Sequence, residues 1–469
     1  MYRLIVSLLV GVIAITDTAV YAANPLDGPV GWADTPGDHG TGYTIQSTTG
    51  GNGGKVVVVE NVADLTTQIN SRKNDTTPVI VQIKGTLTYT SKMHNFNDCK
   101  NISIEGFDSN AKIKGFGFYI RRGANIIFRN LTFENCPDDA INIDGPENHH
   151  IWVDHCLFSD LPMGSANDPA VATSDSANDG LVDVKNGAGY ITISFNRFEN
   201  HSKGLLFSHE CGVADDVNIK VTVHHNWFGY IAQRATRNRS GKVHLFNNYY
   251  TGTGTMLFPK LEKDKTYHHG YAIASVCGAN VVVENNYFEN VVWASLVSRN
   301  SATSTEWQNL YGFINEIVHW CPTSDEEPGY LSYRGENIQN PVAGTEIDIT
   351  GPGGISQKYK ILPFDTSNTD PGNWNPWVDY GYSAEKIAAV LHTADEVPAF
   401  VQNAISGSVG IIKQQISRSV NLRSITGTKA VIFYDLKGRQ IQTVAGSKAT
   451  IPSVYIRKSA DGVRSVLVD

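Results

Sequence analysis

The sequence predicts an all-β protein: a right-handed parallel β-helix with an N-terminal capping helix and a small C-terminal β-sandwich-like module. Three observations lead there. Short β-branched runs recur along the chain, an asparagine follows four of them at one fixed offset, and the composition changes after Gly407.

The runs are Ile126-Ile127-Phe128, Ile151-Trp152-Val153, Ile191-Thr192-Ile193, Val221-Thr222-Val223, Val243-His244-Leu245 and Val281-Val282-Val283. Asn196, Asn226, Asn248 and Asn286 follow the last four, each two residues before an aromatic: Phe198, Phe228, Tyr250 and Phe288. A fixed offset with variable intervals suits coils that keep their strands and vary their loops. Coils stacked about 4.8 Å apart place equivalent side chains above one another, so aliphatic residues fill the interior. A repeated asparagine at a bend can bond its neighbour in the next coil, and it tolerates left-handed backbone. An antiparallel sandwich fits less well, because Asn-Gly hairpin turns are scarce between the runs.

An open coil end would expose apolar interior, so a cap is expected. Val62 to Arg72 supplies it, with Val62, Leu65 and Ile69 on one helical face. Ser383 to Leu391 and Val397 to Ala404 are patterned as helices that cover the last coil or its flank. Beyond them, Ala430 to Tyr434, Ser453 to Arg457 and Arg464 to Val468 read as short strands.

The chain has 469 residues, of which only 18% are charged and 43 are glycine, a turn-rich balance typical of β proteins outside the cytosol. Its net charge of −8 argues against a nucleic-acid partner, which would need clustered excess Lys and Arg. Arg3, the apolar run Leu4 to Ile15 and Val20-Tyr21-Ala22 read as a secretory signal, too short to span a bilayer. The expected organisation is a signal at 1–22, a β-helix domain at 23–410 and a β module at 411–469, in a secreted monomer with no membrane span. Six cysteines permit disulfides whose pairing the sequence leaves open.

Three aspartates fall in two strand-like segments, Asp139 in Asp139-Ala140-Ile141 and Asp179 with Asp183 in Asp179-Gly180-Leu181-Val182-Asp183. Carboxylates gathered with no Lys or Arg between them repel unless a hard cation intervenes, and oxygen ligands suit Ca2+. Asp138 adjoins them. Downstream come Lys203, then His224-His225-Asn226, then Gln233-Arg234-Ala235-Thr236-Arg237-Asn238-Arg239.

Taken in order with Ile151-Trp152-Val153-Asp154-His155, these motifs resemble polysaccharide lyase family one, the pectate lyases, over about residues 40 to 300. The resemblance implies that Asp139, Asp179 and Asp183 bind calcium, that Arg234 is the catalytic base, and that Lys203 and Arg239 hold substrate carboxylates. It also implies a calcium-dependent activity on polygalacturonate, by β-elimination. Thr236 departs from the pattern, standing where the family usually has proline. Elimination from a uronate requires removal of the C5 proton, which becomes acidic once the adjacent carboxylate is neutralised. The rival readings are a lyase of methyl-esterified pectin, a hydrolase and a non-catalytic pectin-binding β-helix. Arg237 and Lys242 are expected as ion-paired surface side chains, and His155, His224, His225 and Trp152 as structural. The Tyr434 to Arg439 pattern resembles C-terminal sorting domains of bacterial secreted proteins.

Overall fold

A computed structural model describes residues 25–89, 91–159, 179–252, 271–297, 329–350, 356–366 and 384–406, with strands at 431–434, 440–444, 454–458 and 464–468. The expected signal segment lies outside the described residues. The chain separates into two units, residues 1–412 and 413–469.

The larger unit is a parallel β-helix. Among the described residues ten strands form one parallel sheet, from Lys55–Val59 to Tyr330–Arg334. A second, fifteen-stranded sheet wraps the other two faces of the coil, again by parallel pairing. Inward residues are aliphatic and aromatic, and Ile126, Ile151, Ile191, Val221, Val243 and Val281, each at most 1% exposed, line one core.

The offset asparagines form the expected ladder. The backbone N–H of Asn196 donates to Asn226 Oδ1 at 2.9 Å, Asn226 to Asn248 at 3.1 Å, and Asn248 to Asn286 at 2.9 Å. Asn337 extends the series, accepting from the Asn286 N–H at 3.0 Å. The aromatics two residues on form a continuous interior stack. Phe198 to Phe228, Phe228 to Tyr250 and Tyr250 to Phe288 have ring centroids 5.0, 5.0 and 4.6 Å apart, matching the coil rise. Such pairs contribute about 0.5–1.5 kcal/mol each beyond their buried area.

One expectation is off by a residue. The left-handed backbone belongs not to the ladder asparagines but to the residue before each: Phe195 (φ 53°), His225 (φ 53°), Asn247 (φ 51°) and Asn285 (φ 48°). The chain turns at that preceding residue, which leaves the ladder asparagine free to aim its amide along the helix axis.

The capping helix is Val62–Ser71, with Leu65 and Ile69 buried against the first coils and Asn61 capping its N-terminus through the Asp64 N–H. The helices Ala384–Ala388 and Val397–Ser406 lie on the flank of the coils. Val397, Val401 and Ile405 cover Trp227, Tyr249 and Tyr287, while His392 Nδ1 meets His225 Nε2 at 3.0 Å. On the outside of the ten-stranded sheet, Trp32 and Ala33 donate backbone N–H groups to Thr222 and Thr192 hydroxyls. A disulfide joins Cys211 to Cys277, while Cys99, Cys136 and Cys156 are buried thiols.

In the smaller unit, Val431–Tyr434 pairs antiparallel with Gln440–Val444, and Val454–Lys458 with Arg464–Val468.

Candidate active site

Parallel registration brings the acidic segments onto one outer face of the coil. Asn142 is level with Asp183, which is level with Leu206, and Leu206 with Arg237. Their neighbours Ile141, Ile143, Val182 and Val184 point into the core, so Asn142 and Asp183 point out.

Oxygens of Asp138, Asp139 and Asp179 all lie within 4.8 Å of one another. Asp139 is buried: its Oδ1 accepts from the Gly180 N–H at 2.9 Å, and its Oδ2 from Asn142 Nδ2 at 2.6 Å and Lys185 Nζ at 3.1 Å. Asp183 Oδ2 also meets Lys185 Nζ at 3.1 Å. Gly180 fits between the two carboxylates because it has no side chain. A Cβ there would stand 2.5 Å from Asp183 Oδ1 and 2.7 Å from Asp139 Oδ1.

Lys185 corrects the expectation of a cluster without cations. It stands two residues after Asp183 on the same strand face, a relation that strand alternation could have revealed. Even so, four carboxyl groups face two ammonium groups, Lys185 and Lys203. The imbalance shows in the titration. Burial, then the Asp139 charge, push Asp183 up to about 8 against the pull of Lys185, and burial raises Asp139 as well. Burial works against ionisation of Asp179 too, but the Lys203 hydrogen bond and charge outweigh it and hold that carboxyl low.

A hard divalent cation fits this donor set. Asp183 Oδ1 is buried and accepts no hydrogen bond among the described residues, an arrangement that is costly unless a further positive partner arrives.

The basic residues come from the next two coils. Lys203 Nζ lies 2.9 Å from Asp179 Oδ1, and its backbone N–H donates to His201 Nδ1. Pairing shifts register between Lys203 and Leu205, opposite Arg234. Arg234 takes a left-handed backbone, φ 59°, as Arg122, Phe195 and His225 do at other bends of the coil. Gly204 permits this crossing, since a Cβ there would lie 2.2 Å from the Arg234 carbonyl oxygen. Arg234 Nε is buried with no hydrogen-bond partner among the described residues.

Thr236 donates its N–H to the Ala272 carbonyl at 2.9 Å, a bond proline could not make. From there the strand runs in register through Arg237 and Asn238, and the Arg239 N–H reaches the Phe207 carbonyl at 2.9 Å. Arg239 is only 3% exposed and donates from Nη1 to the Ser208 carbonyl. Burial, then the Arg237 and Arg234 charges, lower its pKa to about 9. Arg237 is not the surface side chain expected: it is 4% exposed and bonded to the Tyr271 hydroxyl.

His224 and His225 are buried among rings, with His224 stacked on Phe246 at 4.8 Å. Trp152 is 3% exposed, lies under the Arg129 guanidinium and donates to Ser194 Oγ.

A profile of the pectate lyase family matches residues 1–309. A pectate trisaccharide-lyase of Bacillus licheniformis is 33% identical over 303 residues, covering 62% of this chain and 80% of that one. Pectate lyase E of Dickeya chrysanthemi is 32% identical over 322 residues, covering 60% and 76%. Among solved structures, a pectate lyase from Bacillus sp. N165 in complex with trigalacturonate superposes with a TM-score of 0.53 at 26% identity, over 80% of this chain and 97% of the other. A pectate lyase variant from Xanthomonas campestris shares the fold, with a TM-score of 0.53 at 20% identity over 80% and 96%. Fold and comparisons together define a polysaccharide lyase. The chain belongs to the pectate lyase family.

Proposed function

We propose that the chain is a calcium-dependent lyase that cleaves (1→4)-α-D-galacturonan, the backbone of de-esterified pectin, by β-elimination to 4,5-unsaturated ends. The reading is carried by the orphaned Asp183 oxygen among clustered carboxyls, one coil from Lys203 and two from Arg234.

Asp139, Asp179 and Asp183 would hold the calcium, with Asp138 in reach of the same cluster. Bound there, it supplies Lewis acidity to a galacturonate carboxylate. Lys203 adds positive charge on the same side and stabilises the enolate-like charge that develops as C5 loses its proton. Arg239 was expected to grip a carboxylate directly. Its Nη1 bond to the Ser208 carbonyl anchors the strand that carries Arg234, and the 3% of it left exposed would meet that carboxylate. Arg234, taking part as the neutral guanidine after giving its own proton to solvent, receives the C5 proton. The C5 electron pair then forms the C4–C5 double bond, and the C4 oxygen leaves and is protonated by solvent.

Polygalacturonate incubated with protein and calcium is expected to gain ultraviolet-absorbing unsaturated ends, and a chelator to abolish the gain. Saturated reducing ends would replace this reading with hydrolysis. Preference for methyl-esterified pectin without calcium would favour the pectin lyase alternative.

The leader-like Leu4 to Ile15 run and the Cys211–Cys277 disulfide support export to an oxidising compartment. In this reading residues 1–22 are removed, 23–410 form the catalytic domain and 411–469 an accessory or sorting module. Mass measurement of the mature N-terminus in culture medium tests it.

A further inference from the structure

The outer face that carries the acidic cluster continues past it toward the N-terminal end of the coil. Tyr119 is level with Asn142, and Asn142 with Asp183. Phe118 and Ile120 are fully buried in the core, so Tyr119 and Arg121 project onto the same strip as Asp183 and Lys185. From the strand of Arg234 to that of Tyr119 is four coil steps, roughly 19 Å at about 4.8 Å each.

The two side chains are held as a unit. The Arg121 guanidinium lies over the Tyr119 ring, 4.3 Å from its centroid. The Tyr119 hydroxyl donates to Asp144 Oδ2 and accepts from Arg121 Nη2, which also meets Asp144 Oδ2 at 3.2 Å. Asn186 Nδ2 fixes the other oxygen of Asp144 at 2.5 Å. Asp144 is thereby fully occupied and 15% exposed, whereas the Arg121 side chain is 48% exposed. Its Nε and Nη1 donate to no group among the described residues. A surface arginine with ordinary mobility would not need a ring beneath it and a half-buried, fully bonded carboxylate behind it. This one is set in place with donors facing outward.

We propose that Tyr119 and Arg121 form an outlying subsite for a further galacturonate unit of the same polymer. Its carboxylate is taken by the outward N–H groups of Arg121 and its ring edge lies against Tyr119. This rests on the galacturonan reading of the cleft. A pyranose with its glycosidic oxygen is about as long as one coil is tall, so a chain laid along the strip reaches Arg121 about four units from Arg234. The consequence is a preference for long substrates that the central site alone would not give.

The test compares Arg121→Gln with the unmodified protein on polygalacturonate and on trigalacturonate, which is too short to span from Arg234 to Arg121. The loss of an exposed charge pair should raise KM on the polymer about fivefold. The penalty on the trimer should be smaller. An unchanged polymer KM, or an equal penalty on both substrates, would overturn the subsite. Tyr119→Phe, which keeps the ring and removes the hydroxyl, should show the same chain-length dependence at smaller size. Lys84→Gln, on an ion pair with Glu60, is the control. If the unmodified protein makes no unsaturated product, the lyase reading fails separately. Retardation by polygalacturonate, read for each protein against a gel without the polymer, then decides the subsite: Arg121→Gln must be retarded less than the unmodified protein, and equal retardation refutes it.

Discussion

Lys185 Nζ stands 3.1 Å from Asp183 Oδ2, and at the same distance from Asp139 Oδ2, so one ammonium bridges two of the carboxylates assigned to calcium. It is 18% exposed, and burial, opposed by the Asp183 and Asp139 charges, leaves its pKa raised. The bridge offsets part of the carboxylate repulsion, so on the proposed reading calcium would enter a site already half neutralised.

Lys185→Met should therefore destabilise the calcium-free protein by about 3 kcal/mol, the usual result of stripping one partner from a buried pair. Saturating calcium should recover more stability in the variant than in the unmodified protein, because ligand linkage grows with affinity. Thermal melts in chelator and in calcium measure both. Equal calcium-induced shifts in the two proteins would show that Lys185 does not compete with the ion.

Arg234→Ala should lower kcat/KM for polygalacturonate by about 10²- to 10⁴-fold, the usual contribution of a positioned acid or base. The calcium-induced rise in melting temperature should remain, since none of the clustered carboxylates bonds Arg234. Loss of both activity and calcium response would contradict separate roles.

Much of this was readable in the residues, for identifiable reasons. The ladder asparagines and the aromatic stack recur at one offset, and stacking converts recurrence in sequence into contact in space. Asp139, Asp179 and Asp183 were assigned through the family resemblance, since their place in two strand-like segments gave by itself only a weak sign of a cation site. Lys185 was missed because its importance depends on Asp139, 46 residues away and brought alongside only by register. The burial of Arg237 and Arg239 was also hidden, since it depends on Tyr271 and Ser208 from other parts of the coil. The helix patterns near the C-terminus were clear, but whether they covered the last coil or its flank depended on the outward aromatics Trp227, Tyr249 and Tyr287, which no single helix announces.

The ladder should be least tolerant in its middle. Asn226 accepts from the Asn196 N–H, and its amide donates to the carbonyls of Ile193 and His224. Asn226→Ala leaves buried groups orphaned on both sides and should cost about 3 kcal/mol. Asn337→Ala, at the partly buried end of the series, should cost less. Urea unfolding midpoints of the two variants test the order, and equal losses would mean that the asparagines act singly.

The calcium-free protein should lose stability as pH rises from about 7.5 to 8.5. Asp183 titrates near 8 when folded against a reference of 3.8, coupled to Asp139, so the folded state holds a proton that the unfolded chain has released. Stability from this pair is complete below the unfolded value and is lost as pH climbs through the folded one. Buried histidines work in the opposite sense: His149 and His224 are lowered to about 3 and His150 to about 4, in each case first by burial. They bind fewer protons when folded, so they weaken the fold as pH falls below their reference of 6.5. Up to about pH 7.5 the unfolded histidines still hold protons and the two trends oppose each other, whereas above it the histidines are neutral in both states and the carboxylates act alone. Urea midpoints in chelator should decline across that upper window, Asp183→Asn should flatten the decline, and saturating calcium should replace the proton and remove it. A midpoint that instead rises with pH in chelator would show that Lys185 already neutralises the pair.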